Sequence, residues 1–321
     1  MGVGGLFTFM MYIYELTFPT FLMGWVVALV QRGAASMQRL DELLSEQPTI
    51  ADRPDAIAPG SLRGDLESRN LSFCYAGDPG REPALLDIEL RVPAGSTLGV
   101  VGTVGAGKST LASLVPRLYE VPDGRLFVDG VDVNRIPLAV LRRHIAMVPQ
   151  EAFLFSTTLA ENIAFGRPDA TRAEVERAAR RAQLAKDVAD LPDGYDTIVG
   201  ERGVMLSGGQ RQRTALARAL LLDPAILILD DTLSAVDAET EAAIQRELDD
   251  VYSGRTVVVV SSRVSAVRGA DQIIVVDGGR IVERGSHAEL LAAGGLYARL
   301  SEEQARRDDR ALELAAAGLS A

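Results

Sequence analysis

Gly102-Thr-Val-Gly-Ala-Gly-Lys-Ser-Thr110 follows directly on the apolar run 97–101 and leads into an apolar stretch with helical spacing. Strand, glycine turn and helix in that order form the context in which G-x-x-x-x-G-K-[ST] reads as a phosphate-cradling loop. Glycines at 102, 105 and 107 let the backbone approach phosphate oxygens without a Cβ in the way, and N–H groups at the helix start favour negative charge. Thr103, Val104, Gly105, Ala106, Gly107, Lys108, Ser109 and Thr110 are therefore assigned to a nucleotide, with Lys108 bridging its β- and γ-phosphates. Ser109 is placed to give its hydroxyl to Mg²⁺. Farther along, the apolar run 225–229 delivers Asp230 to the same edge of a sheet, where its carboxylate can hold the same ion through water.

Outward from that loop, the short apolar runs 97–101, 145–148, 225–229, 257–260 and 273–276 are separated by helical stretches, the pattern of a buried, mostly parallel sheet in an α/β core. Before the core, Leu71, Phe73 and Tyr75 alternate, as do Leu86, Ile88, Leu90 and Val92, which predicts a small antiparallel sheet with one buried face. Between residues 169 and 191 the apolar positions follow helical spacing, and Thr171 with Glu174 forms a capping box. That stretch is expected to be a helical insertion. Prolines 48, 54 and 59 with Gly60 mark a linker, and residues 301–321 read as a helical tail.

Residues 6–30 are almost continuously apolar, and as a helix they extend roughly 37 Å, enough to cross a hydrocarbon layer of about 30 Å. The run has no basic stretch before it and no small-residue cleavage site after it, so a transmembrane helix is favoured over a signal peptide. Glu15 and Pro19 interrupt it, and the first basic residues, Arg32 and Arg39, follow it, which places the rest of the chain on the cytoplasmic side. A formal net charge of −11 over 321 residues, with no basic block, argues against nucleic acid as a partner. The single cysteine, Cys74, reads as a buried or half-buried thiol in a strand and is given no role.

Leu206-Ser-Gly-Gly-Gln210 opens a helix ahead of the Asp230 strand and is similar to the signature sequence of ATP-binding cassette (ABC) proteins. Ser207 offers a hydroxyl, Gly208 and Gly209 expose N–H groups, and the helix points its positive end outward, a surface suited to a γ-phosphate. In that family the phosphate belongs to ATP held by an opposing subunit. Other features resemble the family in their expected order: Tyr75 the adenine-stacking aromatic residue, Gln150 the glutamine that senses Mg²⁺ and the transport domain, Glu201-Arg-Gly203 an exporter-type segment, and Ser234 and Asp237 the dimer-contacting loop. The resemblance covers residues 66 to about 300. It implies a P-loop NTPase (RecA-like) core with an antiparallel β-subdomain and a helical signature subdomain, using ATP and Mg²⁺. The organisation expected is a transmembrane helix (1–33) resembling the last helix of an exporter half, a connecting helix and linker (34–62), the cassette (63–300) and a tail (301–321), in an inner or plasma membrane.

Two residues depart from the family pattern. Where efficient cassettes have Asp-Glu after the carboxylate strand, this chain has Asp230-Asp231, and where they have a histidine after the next strand it has Ser262. Asp231 is shorter by a methylene and expected to be a poor base for the attacking water. His144 and His287, both expected at the surface, cannot take the histidine's place from their sequence positions. An intact signature beside a weakened hydrolysis site implies a heterodimer, in which Leu206 to Gln210 complete the ATP site of a second, competent half-transporter. With one apolar span in place of the family's six, the chain is a fragment, a product of an internal start, or a non-transporting remnant that regulates a partner ATPase. A soluble cassette acting on DNA or ribosomes is disfavoured by the apolar span and the acidic balance, and no residue here specifies the exported substrate.

Overall fold

The computed structural model describes residues 2–75, 82–200, 204–232 and 254–316, with backbone alone for 307–309 and 311–316. The chain divides into two compact units, Met1–Thr49 and Ile50–Ala321.

The first unit is one helix, α1 (Val3–Ser45), and none of its residues is buried within the chain. It is long and apolar enough to cross a membrane, with a mean hydropathy of 1.6 in its most apolar stretch. Glu15 and Pro19 do not interrupt it, and no break separates a span from a connecting helix at Gly33. Proline costs the helix one N–H donor, that to Glu15 O; the neighbouring hydroxyls of Thr17 and Thr20 bond Ile13 O at 2.8 Å and Leu16 O at 2.7 Å.

The second unit is built on two sheets. A six-stranded sheet runs in the order β10-β9-β3-β8-β7-β6, from β3 (Thr97–Gly102), β6 (Ile145–Val148), β7 (Ile226–Asp230), β8 (Thr256–Val260), β9 (Gln272–Asp277) and β10 (Arg280–Gly285). All neighbours pair in parallel except β9 and β10. The five predicted runs are the five parallel strands. β10 was not expected, because its half-exposed residues form no apolar run.

Both faces of this sheet are covered, and the alternation of side chains distributes the core. Leu227, Leu229, Val257, Val259, Ile273 and Val275 face one cluster, which is closed by α4 (Leu159–Ala164), α5 (Arg172–Arg181) and α7 (Gly208–Leu221). Ile226, Ile228, Val258, Val260, Ile274 and Val276 face the other, closed by α2 (Lys108–Leu114) and the second sheet. Strands buried on both sides need no polar face, which is why they read as apolar runs.

The second sheet is antiparallel and four-stranded, in the order β2-β1-β4-β5: β1 (Leu66–Phe73), β2 (Leu85–Val92), β4 (Leu126–Val128) and β5 (Val131–Asp132). Its last two strands come after the glycine loop, not before it. The simple alternation read for β2 is also corrected: Leu85, Ile88 and Val92 are buried while Leu86 and Leu90 are only partly so. Asn70 and Asp87 take left-handed backbone angles (φ 44° and 50°) where the β1–β2 register slips, and such bulges move the following side chains to the other face. Cys74 lies just past the end of β1 and is exposed, not buried.

In the helical insertion the Thr171–Glu174 capping box starts α5 as predicted, and α6 (Ala185–Ala189) follows. α3 (Leu138–His144) leads into β6, and α8 (His287–Ala293) and α9 (Leu296–Ala316) follow β10. The histidines are half-buried, not surface residues. His144 Nδ1 lies 2.9 Å from Val140 O, and His287 Nδ1 lies 2.8 Å from the hydroxyl of the fully buried Tyr297.

Gly102, the last residue of β3, tests how tightly this scaffold holds the loop. Its φ is 153°, and a Cβ there would stand 1.9 Å from Val276 O of the paired strand β9. Gly102→Ala is expected to cost about 3 kcal/mol, since backbone must shift to relieve the contact. Calorimetry should then show the second unit melting roughly 5–10 °C lower. Unchanged melting would mean the strand end yields freely.

Candidate functional site

Three consecutive strands bring the site together. β8 lies between β3 and β7, so the loop 102–107, the residues after β8 (Ser261, Ser262) and those at the end of β7 (Asp230 and the following Asp231) meet at one carboxyl edge of the sheet. Ligands of open α/β sheets bind at such an edge.

The glycine loop borders a cleft of about 650 Å³, lined also by Tyr75, Pro83, Ala84, Leu86, Gly278 and Gly279. Gly107 has φ 98°, and a Cβ there would lie 2.5 Å from Ala84 O, so loop and β2 approach as closely as glycine permits. Lys108 Nζ donates to Gly102 O at 3.0 Å and to Thr103 O at 2.8 Å, which folds the ammonium over the loop. Burial lowers its pKa, against the pull of Asp231 and Asp230.

Ser109 Oγ donates to Asp230 Oδ1 at 3.0 Å, so the two residues assigned to one ion lie side by side. Burial raises the Asp230 pKa, with the neighbouring Asp231 adding to the rise and the Ser109 hydrogen bond and Lys108 opposing it. A hydroxyl and a carboxylate this close make an all-oxygen donor pair, which fits Mg²⁺, an ion that takes one or two protein ligands and completes its shell with water and substrate phosphates. No cluster of three or more His, Cys, Asp or Glu that could hold a metal occurs among the described residues. Gln150, also assigned to the metal, is exposed and makes no hydrogen bond to Ser109 or Asp230 among the described residues. Its carbonyl accepts a 3.4 Å bond from Gln212 Nε2 of α7.

Because the folded-state pKa of Asp230 is raised, its contribution to stability is fully present below the ordinary value of 3.8 and is lost as pH rises through the elevated one. At neutral pH the ionised carboxylate is therefore a cost to the fold. Asp230→Asn should raise the melting temperature near pH 7, with the gain shrinking toward pH 4, and should abolish the Mg²⁺ dependence of nucleotide binding. A variant that melts below wild type at pH 7 would contradict this.

Asp231 has a left-handed backbone (φ 46°) and donates its N–H to Val260 O at 2.7 Å. Its carboxylate accepts from Ser261 Oγ at 3.2 Å and from Ser262 Oγ at 3.4 Å. The two residues that depart from the family pattern thus touch each other. Tyr75, half-buried at the cleft, donates or accepts a 2.7 Å bond with Thr110 Oγ1 and packs edge-on against Phe73 and Tyr119.

The signature segment begins α7. Ser207 is its N-cap: its Oγ accepts the Gln210 N–H at 3.2 Å, and Gln210 Oε1 accepts the Ser207 N–H at 2.9 Å. In this cap the Ser207 hydroxyl oxygen acts as an acceptor, and the Gln210 side chain also reaches Asp187 Oδ1 at 3.3 Å. Leu206 is buried and anchors the turn. Residues 201–203, Ser234 and Asp237 lie outside the described residues.

Several contributors were not read from the sequence. Asp277 Oδ1 accepts the Thr103 hydroxyl at 3.0 Å, Gly279 N donates to Ala106 O at 3.2 Å, and Gly279 O accepts from Leu86 N at 2.8 Å. The β9–β10 turn thereby buttresses the loop; its Asp277-Gly278-Gly279 run is a hairpin signal that was available. Ser261 and Asp187 were likewise missed, as polar residues without a motif.

A parallel-stranded core with this loop, hydroxyl and carboxylate defines a P-loop nucleotide-binding domain. Residues 85–234 match the family model described as ABC transporter. Over 281 residues the chain is 47% identical to the ATP-dependent lipid A-core flippase of Salmonella typhimurium, spanning 87% of this chain and 47% of that protein. It is 44% identical over 279 residues to the uncharacterized ABC transporter ATP-binding protein YwjA of Bacillus subtilis, covering 87% and 48%. A solved structure of a bacterial Atm1-family ABC exporter with ATP bound superposes with a TM-score of 0.83 at 41% identity, covering 88% of this chain and 50% of that one. The chain carries an ABC transporter nucleotide-binding domain preceded by one apolar helix. It spans about half the length of the curated relatives it matches.

Proposed function

We propose that this chain is the ATP-binding part of an ATP-driven membrane exporter whose own hydrolysis site is weak and whose signature completes the site of a different partner chain. α1 crosses an inner or plasma membrane with the cassette (63–300) on the cytoplasmic side, as the placement of Arg32 and Arg39 after the apolar run favours. Residues 103–110 hold the phosphates of ATP, Tyr75 supports the adenine, and Ser109 and Asp230, joined by Gln150, hold Mg²⁺. The metal, when bound, neutralises charge on the β- and γ-phosphate oxygens.

The observation that carries the weak-site reading is the Asp231 carboxylate drawn onto the hydroxyls of Ser261 and Ser262. A general base must stand within hydrogen-bond reach of the attacking water, and a carboxylate short by one methylene and tied to two serines is badly placed for that. Ser262 also has no ring nitrogen with which to bind the γ-phosphate, and its hydroxyl is turned to Asp231. At the other end of the domain, the Ser207 hydroxyl and the N–H groups of Gly208 and Gly209 open α7, a helix long enough to offer a partner's γ-phosphate a real anion site. Ser234 and Asp237 are assigned to the contact between the two cassettes.

The test is equilibrium Mg-ATP binding and single-turnover hydrolysis by the purified full chain in detergent. Tight binding with ATP left intact over many minutes is the expected result. Brisk turnover by the chain alone would replace the heterodimer with an ordinary homodimeric exporter cassette.

A further inference from the structure

Residues 51–57 have no regular secondary structure, yet they are pinned at almost every step. Asp52 Oδ1 accepts the Leu138 N–H at the start of α3 at 2.7 Å, Arg53 pairs with Asp123, Asp55 pairs with Arg135 at 3.3 Å, and Ile57 N donates to Arg135 O at 2.6 Å. A simple tether between two units would carry no such fastenings.

The remaining fastening is Arg117, which is only 4% exposed. Its guanidinium bonds three backbone carbonyls: Val133 O and Ile136 O through Nη1, each at 3.3 Å, and Ala51 O through Nη2 at 3.2 Å. No carboxylate bonds it among the described residues, and its backbone sits at φ 51°. Arg117 follows α2 after Val115-Pro116 and returns its N–H to Leu114 O at 3.0 Å, while Arg142 grips Pro116 O and Arg117 O at 3.2 and 2.8 Å. α2 is a single short rod. Its head carries Lys108 and Ser109, and its tail runs into the arginine that holds Ala51.

We propose that Arg117 is a positioning residue that clamps residues 51–57 as a strap to the tail of α2, so that Mg-ATP seated at the head of the same helix tightens the strap. The strap is the covalent link between the cassette and α1. Coupling needs a rigid element that both sites bias, and α2 with the planar fork of Arg117 supplies one. The inference rests on the nucleotide reading given above.

Hydrogen–deuterium exchange of the full chain in detergent, with and without Mg-ATP, tests it. Peptides covering 50–58 in the wild type should exchange at least about threefold more slowly with Mg-ATP. In Arg117→Met they should exchange about tenfold faster and lose the response, while ATP affinity stays within about threefold. Arg117→Lys, which keeps the charge but not the fork, should restore the response in part. Should Arg117→Met fail to fold, Asp52→Ala removes a fastening at the exposed start of α3 and should also loosen the strap. A strap indifferent to Mg-ATP in a wild-type chain that binds it, or a response that survives in Arg117→Met or, failing that, in Asp52→Ala, overturns the clamp. A wild-type chain that binds no Mg-ATP instead overturns the nucleotide reading, and the coupling with it.

Discussion

An Asp231→Glu, Ser262→His double variant should cleave bound ATP on the order of a hundredfold faster than wild type in a single turnover. The added methylene moves the carboxylate outward by roughly an ångström, a displacement of the size that decides whether a water is held in line for attack. It also moves it away from Ser261 and Ser262, which hold the present carboxylate at 3.2 and 3.4 Å. The histidine removes one of those hydroxyls and adds a nitrogen donor beside the phosphate loop, because the end of β8 lies between the loop and the end of β7. Each single variant should recover less than the pair, since the two positions touch and their effects are coupled. The measurement is rapid-quench hydrolysis with enzyme in excess over ATP. Equal, slow rates in wild type and double variant would mean that the chemistry is limited elsewhere.

Lys108→Ala should weaken Mg-ATP binding on the order of a hundredfold, equivalent to about 2.7 kcal/mol. The ammonium is half-buried, already bonded to Gly102 O and Thr103 O, and lies within the field of Asp230 and Asp231. Without it, the phosphates meet those two carboxylates with no fixed positive charge between them, and a lost charge-assisted contact in such a place costs a few kcal/mol. Fold stability should hardly fall, because burial disfavours the charged lysine in the first place. Titration calorimetry separates the two effects. Binding unchanged within threefold would remove Lys108 from the phosphate site.

What the sequence made legible follows from burial. β3, β6, β7, β8 and β9 are covered on both faces and leave apolar runs that need no periodicity to be seen. β10, with Arg280, Glu283 and Arg284 among its six residues, and β4 and β5, three and two residues long, leave no such trace. The left-handed Asn70 and Asp87 shift the register of β1 and β2 in a way that alternation counting cannot anticipate. At the site, Ser109 and Asp230 were legible because the loop and its strand are local patterns; the direct 3.0 Å bond between them was not. The Gly278-Gly279 turn and Ser261 act through contacts across the sheet, and no local pattern joins them to the loop. Pro19 misled because one proline inside a long apolar helix removes a single N–H donor without ending the helix.

The turn that buttresses the phosphate loop also fixes when the domain can become active during its synthesis. Thr103 and Ala106 are translated long before Asp277 and Gly279, yet the loop leans on both of these late residues. β3 likewise waits for β8 and β9, its two neighbours in the sheet. A nascent chain halted between residues 110 and 279 therefore holds the whole G-x-x-x-x-G-K-[ST] sequence without the support that shapes it. Copies that stop short of residue 279 should not compete for ATP, and competence should arrive only after the β9–β10 turn has been made.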